Sequence, residues 1–224
     1  MKILSIDTSS SVCSVAILEN EICIAENSIN DGRTHSENLM PMVEKILQEN
    51  NIKLNSIELI TVVVGPGSFT GIRIGVASVK AIAEVLSIPV VPVMSLEGLA
   101  YNISSNEDNI CSLIDARNNQ VYAGVFDSNH EPLEEYMADD INNILEKIKK
   151  YNNIIFVGDA AIIHKDLISY EIKNAKFADT DKCLQSAKSV GKAGYEKYKL
   201  GIIENADTIT PKYLRKSQAE RMKK

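Results

Sequence analysis

Two hydrophobic periods alternate along the chain. KILSID, residues 2–7, is apolar up to a terminal aspartate, and SVCSVAIL and EICIAENS follow with strand patterning, joined by a tight turn at Glu19-Asn20. From residue 35 to residue 50 the period lengthens. Leu39, Met42, Val43, Ile46 and Leu47 recur at helical spacing, and Pro41 sits early enough in that helix to be tolerated. ELITVVV, rich in β-branched residues, predicts a strand buried on both faces. GIRIGVASVKAIAEVL, residues 71–86, is a helix that ends before Pro89. IPVVPV gives a further short strand and SLEGLAYNI a further helix.

The pattern then restarts. ICSLIDAR repeats the opening strand, with Asp115 where Asp7 stood, and QVYAGVF matches SVCSVAI. PLEEYMA supplies a third strand, DDINNILEKIKKY a helix, NIIFVGDA a strand ending in a Gly-Asp turn, IKNAKF a strand, and residues 181–200 a helix. The order βββαβα(βα) thus occurs twice. Three antiparallel strands followed by crossover helices make a ribonuclease-H-like unit, and two in tandem make an actin-like α/β fold with mixed sheets. The boundary is expected in the polar stretch 102–109. That gives a first subdomain 1–104, a smaller second subdomain 105–205, and a C-terminal segment 206–224 with a basic end.

The stretch VVVGPGSFTGIRIG has the look of a phosphate loop and fails its tests. No lysine follows at the Walker spacing, and Thr70 occupies the third position of G-x-G-x-x-G. The strand after it, IPVVPVM, ends without the acid that a dinucleotide site needs. Gly71, Gly75 and Ser78 instead lie on one helical face that Val79 and Ile82 extend. Small residues there admit another element at close range. Ile72, Ile74, Val76 and Val85 make this helix apolar nearly all round, so it needs a second cover, either from its own chain or from a partner. Ser68 or Thr70 is placed to cap it.

Composition narrows the function. Residues 1–100 and 101–205 each carry a net charge of −5, and residues 206–224 carry +4, so only the tail could attract a phosphate backbone. That tail holds Arg215, Lys216, Arg221, Lys223 and Lys224. It reads as a solvated end, with a nucleic-acid or partner contact as the sharper alternative. Cys13, Cys23, Cys111 and Cys183 show no C-x-x-C spacing and sit in apolar runs, as reduced thiols packed as small hydrophobes do. His35, His130 and His164 include no i, i+4 pair, and no G-x-S-x-G elbow is present. No apolar run reaches membrane-spanning length, and Asp7 comes too early for a signal peptide, so a soluble cytosolic protein is expected.

One nucleotide site is conceivable. Asp7, Thr8 and Ser9 end a central strand, Asp115 echoes them, and Gly158 with Asp159 forms a second turn. In an actin-like cleft such carboxylates hold metal-bound water near phosphates. The equal alternative for Asp7-Thr8-Ser9-Ser10 is a turn held by local side-chain-to-backbone bonds.

ILSIDTSS, HSENLMP, VVVGPGSFTGIRIGVASVKAIA, VPVMSLEGLA, LIDARNNQVYAGVF, VGDA and PKYLRKSQAE run in order over nearly the whole chain. Together they resemble the TsaB (YeaZ) family of bacterial tRNA threonylcarbamoyladenosine biosynthesis proteins, and GPGSFTGIRIG is the most specific piece. The resemblance implies an actin-like fold and a non-catalytic scaffold that binds and activates a TsaD-like transferase. The complex makes N6-threonylcarbamoyladenosine in tRNA reading ANN codons, with a TsaE-like ATPase as a further member. It implies no cofactor of the chain's own, ATP or ADP being placed at or near the partner interface, and tRNA contact only indirectly or through the basic tail. The TsaD pattern contains a metal-binding H-M-E-G-H. The corresponding stretch here is similar to Ser95-Leu96-Glu97-Gly98-Leu99, whose ends bind iron or zinc poorly. The resemblance also implies association through helices 35–50 and 71–86. His35, Leu39, Met42, Val43, Ile46, Gly71, Gly75, Ser78, Val79 and Ile82 would form one surface that serves either a homodimer or the transferase. An independent ATP-binding enzyme is the alternative, and a peptidase a more distant one.

Overall fold

The computed structural model describes residues 1–104 and 108–215. The chain divides into two units. Met1–Gly98 and Gln185–Lys212 form one; Leu99–Leu184, with residues 213–215, forms the other. In the first, β1 (Lys2–Asp7), β2 (Cys13–Glu19) and β3 (Ile22–Ile29) are antiparallel, and α1 (His35–Glu49) crosses to β4 (Leu59–Gly65). α2 (Phe69–Leu86) crosses to β5 (Val90–Met94), and α3 (Ser95–Ala100) follows. The sheet order is β3-β2-β1-β4-β5. In the second unit β6 (Asn109–Asp115), β7 (Gln120–Phe126) and β8 (Met137–Asp140) are followed by α4 (Ile141–Ile148) and β9 (Ile154–Val157). Then come α5 (Asp159–Ile163), α6 (Lys165–Glu171) and β10 (Lys176–Phe177). Its order, β10-β9-β6-β7-β8, is the same topology read from the other edge. The twofold actin-like α/β architecture expected from the sequence is therefore present.

Each central strand is an apolar run closed by aspartate, and the first sheet buries all seven residues of β4. α1 begins with a capping box: the Glu37 carboxylate accepts the Thr34 amide at 3.0 Å. Ser68, not Thr70, caps α2 by accepting the Gly71 amide at 3.1 Å. The second core gathers Leu113, Val121 and Val125 against Ile141, Ile144, Leu145 and Ile148 of α4, with Phe156 fully enclosed. All four thiols are free, and burial pushes Cys13 up to about 11.

The subdomain boundaries need correction. α7 (Ala187–Lys199) belongs to the first unit, not to the second, because it lies across β1, β2, β4 and β5. Glycines set its approach: a Cβ on Gly191 would overlap Leu18, and one on Gly194 would overlap Thr61. Its amino end is tied down by Ser14 Oγ, which accepts the Ala187 amide at 3.0 Å. Glu26 Oε1 accepts the Lys188 amide at 3.0 Å and the Ser186 hydroxyl at 2.7 Å. The helix is also shorter than 181–200, since Thr180–Cys183 forms a 3-10 turn. PLEEYMA is mostly loop, and the strand there starts only at Met137. The linker residues 105–107 and the tail residues Lys216, Arg221, Lys223 and Lys224 lie outside the described residues.

Candidate functional site

The turn after β1 is where the sequence concentrates polar chemistry, and its groups are committed to its own chain. Asp7 Oδ1 accepts the Ser9 amide at 2.8 Å and the Ser9 hydroxyl at 2.7 Å. The Val12 amide donates to Ser10 Oγ at 3.0 Å. The first turns of both long helices then clamp it. The Ser68 amide donates to the Ser9 carbonyl at 2.7 Å, and Thr8 Oγ1 donates to the Gly71 carbonyl at 2.8 Å. His35 Nε2 donates to the Ser10 carbonyl at 2.7 Å, which fixes the proton on that nitrogen, since a carbonyl only accepts. Burial holds the Asp7 carboxyl above its ordinary range, against the opposing pull of the Ser9 bonds and of nearby His35. Of the two readings weighed for this turn, local side-chain-to-backbone bonding describes the geometry.

The second unit repeats the device. Asp115 Oδ1 accepts the Arg117 amide at 2.9 Å, as Asp7 accepts that of Ser9. Asp159 Oδ1 accepts the Asp115 amide at 3.0 Å and the Ala160 amide at 2.8 Å. Burial raises the Asp159 carboxyl, and the two amides oppose the shift. Gly158, at φ 108°, presses on the Leu113 carbonyl so closely that a Cβ would overlap it. Asp115, Gly158 and Asp159 are thus brought together in the second unit, while Asp7, Thr8 and Ser9 are grouped in the first.

The glycine stripe of α2 has a different use from the one expected. A Cβ on Gly71 would overlap the Thr8 carbonyl, and one on Gly75 would overlap Thr8 Oγ1. Gly71, Gly75, Val79 and Ile82 are buried within the first unit, as are Leu39, Met42, Val43 and Ile46 of α1. The element admitted at close range is the chain's own Thr8 turn, so these residues are not the contact surface for a partner. Only His35 and Ser78 of that set are half-buried.

The outward face of α2 is the opposite one. Thr70, Arg73, Ala77, Ala81, Glu84 and Val85 are exposed, with Ile74 half-covered beside them. Val85 is 83% exposed, and on α1 Met40 is 46% exposed. The signal for this ridge was in the sequence: Ile74, Ala77, Ala81 and Val85 recur at i, i+3, i+7 and i+11.

The stretch Ser95–Leu99 also has its donors occupied. The Ser95 hydroxyl donates to the Pro66 carbonyl, and Glu97 accepts both the Met94 amide at 2.7 Å and the Lys197 ammonium at 2.8 Å. Leu99 offers no donor atom. The residues present therefore do not fit a metal. Among the described residues no three His, Cys, Asp or Glu side chains gather to hold one. His130 gives its Nε2 proton to the Ile103 carbonyl at 2.9 Å, as His35 does to the Ser10 carbonyl. Among the described residues no helix is long and apolar enough to cross a membrane.

Comparison with known proteins gives these features a setting. The family model TsaD, tRNA N6-adenosine threonylcarbamoyltransferase, matches residues 24–223. The tRNA threonylcarbamoyladenosine biosynthesis protein TsaB of Bacillus subtilis is 34% identical over 227 residues, covering 98% of this chain and 96% of the relative. A Pseudomonas aeruginosa protein described as similar to peptidase YeaZ superposes with a TM-score of 0.81 at 24% identity, covering 96% of this chain and 99% of that one. The activator of 2-hydroxyisocaproyl-CoA dehydratase from Clostridium difficile, solved with bound ADPNP, superposes with a TM-score of 0.57 at 12% identity, over 90% and 97% of the two chains. These last two likenesses are of fold alone.

Proposed function

The chain belongs to the TsaB family of tRNA threonylcarbamoyladenosine biosynthesis proteins, and from that premise we propose that it is a non-catalytic subunit that binds and activates a TsaD-type transferase. The supporting observation is the combination of a transferase-like fold with committed donors. The chain matches the transferase family model, yet Ser95, Glu97 and Leu99 are hydrogen-bonded, ion-paired or apolar. The Asp7 turn is likewise filled by Ser9, Thr8 and His35. What the first unit does offer is a helix pair with an outward ridge of small and apolar residues: Ile74, Ala77, Ala81 and Val85 on α2, and Met40 on α1.

Docking uses this outward ridge. Alanines at Ala77 and Ala81 let a partner helix approach closely, and the flanking Val85 and Met40 bury apolar area on contact. The same ridge would pair two copies through a twofold axis, so homodimer and heterocomplex compete for it. Binding there would favour the transferase's active arrangement over its inactive ones. A TsaE-type ATPase joins the complex, and the basic tail is the part with the charge for tRNA.

Reconstituted threonylcarbamoyl transfer to tRNA, run with the transferase and with or without this chain, tests the reading. The chain alone is expected to give no turnover, and its addition is expected to raise the transferase's rate. Turnover by the isolated chain with ATP and magnesium would instead favour an independent ATP-using enzyme.

A further inference from the structure

The chain passes from the first unit to the second at Gly98–Leu99 and back at Leu184–Gln185. The stretch between those points is continuous, whereas the first unit is made of two stretches. Residues 99–184 hold what a domain needs for itself. Their five strands pair only with one another. Phe156, Leu113 and Val125 are fully buried in a core that Ile144 and Leu145 of α4 and Ile168 of α6 complete, all from the same stretch. Residues 213–215 are grouped with this unit but add no strand and no member to that core.

The two ends of the stretch are fastened to each other. The Asn102 side-chain amide donates to the Lys182 carbonyl at 2.7 Å and to the Leu184 carbonyl at 2.8 Å. Its two hydrogens join parts of the chain 80 residues apart. Each end is also held separately. His130 donates to the Ile103 carbonyl at 2.9 Å and stacks on Tyr101, with ring centroids 4.2 Å apart. At the other end Cys183 is buried, where the 3-10 turn Thr180–Cys183 closes. Residues 102 and 103, which the sequence placed in a polar boundary, are thus tied into the second unit.

A stretch inserted into a host must keep its ends together. Otherwise the host bears the closure entropy of a loop, which rises with the logarithm of the loop's length. A folded insert with clasped ends removes that cost. We propose that residues 99–184 are an autonomously stable insert in the first unit, sealed at its base by the Asn102 clasp. The insert opens and recloses without the first unit. The first unit needs from it only that its ends stay joined. This holds with or without the docking surface given above.

Native-state hydrogen exchange on the full chain reads the opening of each element by itself. Phe156→Ala leaves a cavity in the second core. It should speed the slowest amides of β6, β7 and β9 about a hundredfold and leave those of β1, β2, β4 and α7 at the wild-type rate. Ile60→Ala, at a fully buried position of β4, should do the reverse. If either variant fails to fold, Phe156→Leu and Ile60→Val give the same pattern at smaller amplitude. Rates that rise together in both units would show one cooperative body and overturn the insert. Asn102→Ala should speed exchange about fivefold at residues 99–103 and 182–185, with β1, β2 and β4 unchanged. Wild-type rates at those two ends would overturn the clasp.

Discussion

Thr8 organises the amino-terminal half. Its hydroxyl donates to the Gly71 carbonyl, and its side chain fills the space that a Cβ at Gly75 would take. Gly71→Leu should therefore destabilise the fold, by about 3 kcal/mol in denaturant titration, because the added carbons meet backbone that cannot move aside. A variant as stable as the wild type, failing only in association, would contradict this burial. Asp7 makes a second expectation. Its folded pKa lies above its ordinary 3.8, so between those two values the folded chain holds a proton that the unfolded chain releases. The stability contributed by that proton is present at acid pH and is lost as pH rises through the folded value. Asp7→Asn keeps an oxygen to accept the Ser9 bonds and cannot ionise. Its stability relative to the wild type should grow as the pH rises from about 4 toward the raised folded value. A difference that stays flat over that range would show that the carboxylate costs nothing in its site.

At the scale of elements, the helix that the sequence placed in the wrong unit is the most instructive. α7 follows the second repeat in the chain, yet it covers the first sheet. Ser5 and Thr61 face it, bonded to each other at 2.8 Å, whereas Thr8, of opposite parity on the same line, faces α2. Ala187, Gly191 and Gly194 form a small-residue stripe of the kind seen in α2, and both stripes mark where a helix meets its own chain closely. Glu26→Ala removes the acceptor for the Ser186 hydroxyl and the Lys188 amide. It should cost about 1 kcal/mol and speed amide exchange over residues 186–190. Exchange there at the wild-type rate would mean that the helix is held without that contact. Strand identity and order were legible because β1, β2, β4, β6 and β7 are continuous apolar runs. The two short helices α5 and α6 and the end of α7 were not, since their boundaries depend on turns such as the 3-10 segment at Thr180–Cys183 rather than on periodicity. The site was half legible. Asp115 and Asp159 do meet at strand ends within the second unit, and Asp7 closes β1 in a similar turn within the first. Which side of α2 faces outward was not legible, because a helix apolar nearly all round does not say which of its two stripes meets the sheet.

For the whole molecule, one topology used twice provides two similar aspartate turns, both satisfied by their own backbone amides. One carboxylate oxygen of each aspartate is taken up in its turn, and the outward side of α2 carries the exposed Ala77, Ala81 and Val85. If activation works through contact, the outward face of α2 must matter more than any polar group at the strand ends. Sedimentation or calorimetric titration of the TsaD-type transferase with Ala77→Arg/Ala81→Arg, beside the wild-type chain, measures this most directly. The two substitutions touch only exposed positions, so the variant should melt with the wild type while losing the complex and the stimulation of transfer. A variant that still forms the complex at wild-type affinity would place the contact elsewhere and contradict the assignment of this helix face.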